Sequence, residues 1–250
     1  MKIITFINQK GGSGKTTTCV NLGACLAHMK KKVLLIDIDP QANATIHVGI
    51  KPHQVNVSLY DVFIGKKAIK ETIIPTNIPH MDIIPSNINL SSAEIELVNM
   101  MGREKLLKQA VKNIKNNYDF ILIDSPPSLG LLTLNALIAG SDIIIPIQSH
   151  FFALEGMSKL LNTIKLAKER LDADIRIKGI VLTLFDERKN MCKDVALKLN
   201  ESFKNKVFST KIRDNIKLAE APSYGQSIID YAPQSFGAQD YRALTKEVLS

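Results

Sequence analysis

Lys10 and Lys15 frame a stretch of this chain whose residue types could hold a phosphate, Lys10-Gly11-Gly12-Ser13-Gly14-Lys15-Thr16-Thr17. Glycines reach backbone conformations closed to other residues, so successive N–H groups can turn inward around an anion. A helix starting directly behind such a loop adds the positive end of its dipole. Lys15 is then expected on the β and γ phosphates of a nucleotide, and Thr16 on a Mg²⁺ ion. Nucleotide binding is the chemistry these residues predict.

Two further segments carry carboxylates to the same place. Val33-Leu34-Leu35-Ile36-Asp37-Ile38-Asp39-Pro40 reads as an apolar strand ending in alternating acids and a proline turn. Because strand side chains alternate, Asp37 and Asp39 are expected to point the same way, toward the carboxyl end of the sheet, where open α/β folds take their ligands. Asp119 to Asp124 is a second apolar strand with a terminal carboxylate, followed by Ser125-Pro126-Pro127. That is a Walker B arrangement, which puts Asp124 on Mg²⁺ through water.

The elements that must position these groups follow from apolar runs. Ile3 to Ile7 reads as the strand before the loop and Thr18 to Met29 as the helix after it. Runs at Met81 to Ile84, Asp142 to Ile147 and Ile177 to Leu184 alternate with helical stretches near Arg103 to Asn116, Glu155 to Leu171 and Met191 to Phe203. This alternation predicts an α/β fold, a doubly wound, mostly parallel sheet flanked by helices. The 250 residues are 45% hydrophobic, enough for a large core, and no linker or low-complexity stretch divides them, so a single domain over 1–250 is expected.

Composition excludes several classes. Asn135, Ser141, Asp142 and Pro146 interrupt the best candidate for a membrane span, and no signal peptide is apparent, which predicts a cytoplasmic protein with no membrane partner. Cys19, Cys25 and Cys192 have neither an even count nor metal-ligand spacing, so reduced thiols are expected, the first two packed in the helix after the loop. The five histidines show no ligand grouping. The net charge is +8, with Arg188, Lys189, Lys193, Lys198, Lys204, Lys206, Lys211, Arg213 and Lys217 enriching the C-terminal half. A basic face gives salt-sensitive, sequence-independent binding to nucleic acid.

With Lys10 included, the loop reads KGGxGKTT, which resembles the deviant Walker A motif of the ParA/MinD group of P-loop ATPases. NQKGGSGKTTT, VNLGACLA, DIDPQANAT, AEIELV, DSPPSLGLLTLNAL, FALEG and EAPSYGQSI together resemble the partition ATPases ParA and Soj, in the same order and over nearly the whole chain. The short form fits best, because seven residues before Asn8 leave no room for an N-terminal helix-turn-helix. MinD is less similar: it would finish in a basic amphipathic membrane helix, whereas Ser235 to Ser250 reads as a packed helix around Tyr241, Leu244 and Val248. Iron–sulfur relatives such as nitrogenase iron protein need cysteines beyond the second switch, and none lies between Cys25 and Cys192. Dethiobiotin synthetase shares the scaffold, with nothing beyond the fold to support it.

The resemblance implies slow ATP hydrolysis coupled to dimer state, in chromosome or plasmid segregation on the nucleoid. Gly11 to Thr17 would cradle the phosphates, with Pro222 of EAPSYGQSI also at the nucleotide. Lys10 would reach the partner subunit's ATP. Thr16, Asp39 and Asp124 would hold Mg²⁺, Asp37 would support the metal shell, and Asp39 would orient or deprotonate the attacking water. Pro40 to Thr45 and Ser125 to Gly130 would be the switch segments. The ATP homodimer would bind double-stranded DNA non-specifically through Arg188, Lys189 and Lys217, although the family often reads proline-arginine-asparagine where this chain has Arg213-Asp214-Asn215. A ParB-like centromere-binding protein would stimulate turnover. An ATP-switched, DNA-bound regulator of replication initiation uses the same residues, and a MinD-like division-positioning ATPase stands behind it.

Overall fold

Strands apolar on both faces can be stable only between two layers of helices. The computed structural model describes residues 1–150, 153–171 and 173–250, and of residues 115 and 153–155 the backbone alone. Within them lies a seven-stranded sheet of order β3-β4-β2-β5-β1-β6-β7. The strands are β1 (Lys2–Phe6), β2 (Val33–Asp37), β3 (Ile74–Pro75), β4 (Met81–Ile84), β5 (Phe120–Asp124), β6 (Asp142–Gln148) and β7 (Arg176–Thr183). Every pairing is parallel except that of β3 with β4, which is antiparallel.

Alternation along each strand sorts the core. Ile4 and Phe6 of β1, Val33 and Leu35 of β2, and Phe120 and Leu122 of β5 share one cluster with the helix Lys15–His28 and the last helix, Phe236–Leu249. Their neighbours Leu34, Ile36, Ile121 and Ile123 face the opposite layer with Leu90, Leu107 and Leu132. Ile143, Ile145, Ile180 and Leu182 extend that layer under the helices Ala153–Leu171 and Asn190–Phe203. Tyr241, Leu244 and Val248 are buried, each apolar side chain of this size contributing roughly 2 kcal/mol. The last helix therefore covers the helix behind the phosphate loop, and Tyr241 Oη meets Thr18 Oγ1 at 3.2 Å.

Six of the seven strands match the sequence expectations to within one or two residues at each end, β3 being the one not expected, and the doubly wound, mostly parallel sheet is the one expected. The helix expected near Arg103 to Asn116 is broken into the 3₁₀ turns Arg103–Lys105 and Lys115–Asn117 around a short helix, Leu106–Val111. The Leu107 amide donates to Asn135 Oδ1, tying this stretch to the helix Leu131–Ala139. Cys19, Cys25 and Cys192 are free and buried. Phe152, the first residue of the FALEG segment, lies outside the described residues. Among the described residues no helix is long and apolar enough to cross a membrane.

Candidate functional site

The loop between β1 and the helix Lys15–His28 is shaped by two left-handed glycines, Gly12 at φ 72° and Gly14 at φ 81°. A Cβ on Gly14 would also stand 3.2 Å from Thr183 Cγ2, so the left-handed backbone disfavours a side chain here and the space beside it is tight. Thr183 Oγ1 donates to the Ser13 carbonyl at 2.9 Å, pinning the loop to the end of β7. Lys15 is buried and its Nζ approaches the Lys10 carbonyl at 3.4 Å. Lys10 itself is exposed, outside the cavity its own loop forms, and among the described residues its side chain has no hydrogen-bond or ion-pair partner.

Register brings the acids to this loop. Asp37 at the end of β2 pairs with Asp124 at the end of β5, and Asp124 pairs on its other side with Phe6 of β1. Thr16 Oγ1 donates to Asp124 Oδ2 at 2.7 Å, while the buried Asp124 Oδ1 has no partner. Asp39 lines the cavity, and its Oδ1 accepts from the Gln41 amide at 2.9 Å. Asp37, expected to support the metal shell, accepts from the Asp39 amide at 3.1 Å, the Thr45 amide at 2.8 Å and Thr45 Oγ1 at 2.7 Å. Asp37 thus anchors the Pro40–Thr45 segment.

Burial pushes Asp37 up to about 7, with the charge of Asp39 adding to the rise and the hydrogen bonds from Thr45 opposing it. Burial, then the neighbouring Asp37, holds Asp124 well above the usual carboxylate range, against Thr16 and Lys15. Burial also lowers Lys15, countered by Asp124 and Asp39. Asp124 and Asp39 act on Lys15 and Asp37 stands beside Asp124, a concentration of negative charge that a divalent cation would relieve. Among the described residues no three His, Cys, Asp or Glu side chains form a metal cage. A Thr–Asp pair with one free carboxylate oxygen suits Mg²⁺, which keeps waters and shares phosphate oxygens.

The cavity holds about 360 Å³ and is walled by Gly11 to Thr17, Asp39, Gln41, Asn43, Ile46, His47, Pro127 and Pro222. Every expected phosphate-loop residue and Pro222 therefore gather here, with Lys10 just outside. A second hollow of about 240 Å³ shares Gly12, Gly14 and Thr17 and continues past Thr183, Leu184 and Asp214 to Ala219. Sequence reasoning missed this extension, because it arises where Phe185 bridges Arg213 across 28 residues of chain. Gln41 and Pro127 fall inside the expected switch segments, but nothing in the sequence singled out His47.

The same bridge draws the expected DNA contacts into one region. The Phe185 amide donates to the Ile212 carbonyl and the Asp214 amide to the Phe185 carbonyl, so the segment that leads to Arg188 and Lys189 runs beside the one that leads into the short helix Ile216–Glu220, which bears Lys217. Arg188 forks onto Asp186 at 3.0 and 2.9 Å, with its side chain still 90% exposed, and Lys189 lies 3.8 Å from the same acid. Asp186 is held well below the usual carboxylate range by those Arg188 bonds. Lys217 pairs with Glu220 at 2.8 Å and sits over the Tyr231 ring. Arg213 is engaged elsewhere, pairing with Asp240 at 2.6 Å and stacking over Phe236.

A family model described as "AAA domain" matches residues 1–177. The chain is 49% identical to "Sporulation initiation inhibitor protein Soj" of Bacillus subtilis (strain 168), over 99% of this chain and 98% of that protein. It is 43% identical to "Chromosome-partitioning ATPase Soj" of Treponema pallidum (strain Nichols), over 100% of this chain and 97% of that protein. Among solved structures, Cobyrinic Acid a,c-diamide synthase from Mycobacterium smegmatis with bound ATP analog and magnesium superposes with a TM-score of 0.88. That likeness spans 100% of this chain and 94% of the other at 32% identity.

Proposed function

The chain belongs to the Soj and ParA family of chromosome-partitioning ATPases, and from that premise we propose a switch that dimerises on ATP, holds DNA without sequence preference and resets by hydrolysis. ATP and Mg²⁺ are the ligands of the cavity. The observation that carries this reading is the pairing of Thr16 Oγ1 with Asp124 Oδ2 at 2.7 Å in front of the buried Lys15, with Asp124 Oδ1 left free.

Thr16 and Asp124 would hold Mg²⁺, with Asp39 at its edge, and the ion would neutralise phosphate charge. Phosphoryl transfer needs little from the protein beyond position and charge. The loop amides and Lys15 orient the phosphates. Asp39, fixed by its bond from the Gln41 amide, orients the attacking water. Asp37 and Thr45 hold the Pro40–Thr45 segment where it can follow the γ-phosphate. Among the described residues no arginine lines the phosphate cavity, which fits slow intrinsic turnover raised by a ParB-like partner. Lys10, exposed and without a side-chain partner among the described residues, is free to complete a second subunit's site.

DNA binding tests the outer half of the switch. Arg188→Glu or Lys217→Glu should nearly abolish binding of arbitrary duplex DNA in ATP while sparing ATP-dependent dimerisation. Lys70→Glu, on the distant turn Ile69–Thr72, should do neither. Each lost phosphate contact lowers the slope of log affinity against log salt by about 0.9, twice over in a dimer. Fluorescence anisotropy across a salt series reads both effects. Equal losses from all three variants would show a diffuse field without a defined DNA face.

A further inference from the structure

Gly49 and Gly225 meet backbone to backbone between two segments that both wall the phosphate cavity. The short helix Asn43–His47 follows the Asp39 turn and gives Ile46 and His47 to the wall, and the 3₁₀ turn Ala221–Tyr224 gives Pro222. Both glycines are left-handed, Gly49 at φ 84° and Gly225 at φ 64°. A Cβ on Gly225 would stand 2.5 Å from Gly49 Cα and 3.1 Å from the Gly49 nitrogen, closer than a side-chain carbon packs on backbone. Asn77 braces the pair: its Nδ2 donates to the Gly225 carbonyl at 2.9 Å and would stand 3.8 Å from a Cβ on Gly49.

Each side of this seam is tied to a functional group. Thr45, bonded twice to Asp37, accepts the Ile50 amide on its carbonyl at 3.1 Å, and the Gly49 amide donates to the Ile46 carbonyl at 2.9 Å, so Gly49 moves with the segment after Asp39. On the other side the Gly225 amide donates to the Pro222 carbonyl at 3.0 Å and the Gln226 amide to the Ala221 carbonyl at 3.2 Å. The helix Ile216–Glu220 runs straight into this turn, and Glu220 holds Lys217 Nζ against it. Beyond the turn the Ile228 amide donates to Asn21 Oδ1 at 2.7 Å, and Asn21 Nδ2 to the Thr17 carbonyl at 2.8 Å, which fixes that end to the helix behind the phosphate loop. Movement at Gly225 is therefore passed toward Lys217. Close-packed contacts transmit such shifts because they do not deform continuously.

We propose that the contact of Gly49 with Gly225, with Asn77 as its positioning residue, couples the nucleotide cavity to the DNA face: the segment after Asp39, in following the γ-phosphate, moves the turn Ala221–Tyr224 and with it Lys217. ATP thereby acts on Lys217 within one subunit, by a route separate from dimer formation. The inference rests on the reading of Lys217 as a DNA contact.

Asn77→Ala and Gly225→Ala test it in the full chain, with calorimetry for ATP, light scattering for the dimer and fluorescence anisotropy for arbitrary duplex DNA on the ATP dimer. Both variants should bind ATP and dimerise as the parent does. Gly225→Ala should hold DNA about tenfold more weakly, within the range of an allosteric coupling, and Asn77→Ala about three- to tenfold more weakly, the range of one neutral hydrogen bond. Coupling is reciprocal, so the factor by which DNA tightens ATP should shrink in the same proportion. A loss that runs through Lys217 is not additive with it: in a Lys217→Ala background, measured at low salt, Asn77→Ala should cost nothing further. Parental DNA affinity in the Asn77→Ala dimer, full additivity with Lys217→Ala, or an equal loss of ATP affinity without DNA would overturn the inference, and Asn77→Ala decides it alone if Gly225→Ala fails to fold. A parent dimer that binds no DNA in ATP would instead overturn the reading of Lys217, and the coupling with it.

Discussion

Lys15→Ala is expected to lose tight ATP binding and, with it, dimerisation. The lysine is buried at the base of the loop, where water screens its charge poorly, and its neighbours are the acids Asp124 and Asp39. Without it, three phosphates would enter a cavity whose remaining side-chain charges are negative. Truncating one side of a desolvated charge pair costs about 3 kcal/mol or more, roughly a hundredfold in affinity. The fold should survive, since the helix Lys15–His28 is held by Val20, Leu22, Ala24 and Leu26 in the core. Calorimetry decides it: parental ATP affinity in a folded Lys15→Ala protein would remove phosphate binding from this loop.

Asp39→Ala separates binding from chemistry. Its carboxylate lines the cavity but is not among the groups that cradle phosphate, so ATP should still bind and the dimer should accumulate on DNA. Loss of a group that orients or accepts a proton from water lowers turnover by roughly 10²- to 10⁴-fold. Asp39→Asn retains an oxygen for the Gln41 amide and should be equally inactive, which distinguishes the water from the turn. Phosphate release at the parental rate from either variant would move the water-orienting role away from Asp39.

The strands were readable because both faces are buried: β2 and β5 are unbroken apolar runs that stop at carboxylates, a pattern only a central parallel strand produces. The glycine loop was readable for a local reason as well, since its conformation follows from residue type. β3 was not, being two residues long with a proline at an edge, too short to show a period. The helix Leu131–Ala139 was hidden because it is apolar nearly all round and has no amphipathic stripe. The bond from Thr45 to Asp37 escaped because alternation gives the direction of a side chain and not its partners, and Thr45 lies eight residues away. Arg213 looked like one more surface cation until the last helix brought Asp240 to it.

Under the proposed function, Lys10 is the residue that would act on a second molecule. It is exposed, it makes no side-chain bond within its own subunit among the described residues, and it flanks a loop that holds phosphate. Light scattering in ATP and Mg²⁺ therefore tests the switch most directly. The parent should be a dimer in ATP and a monomer in ADP, and Lys10→Ala should bind ATP with near-parental affinity yet remain a monomer. A stable Lys10→Ala dimer in ATP would contradict the coupling of nucleotide to assembly through this lysine.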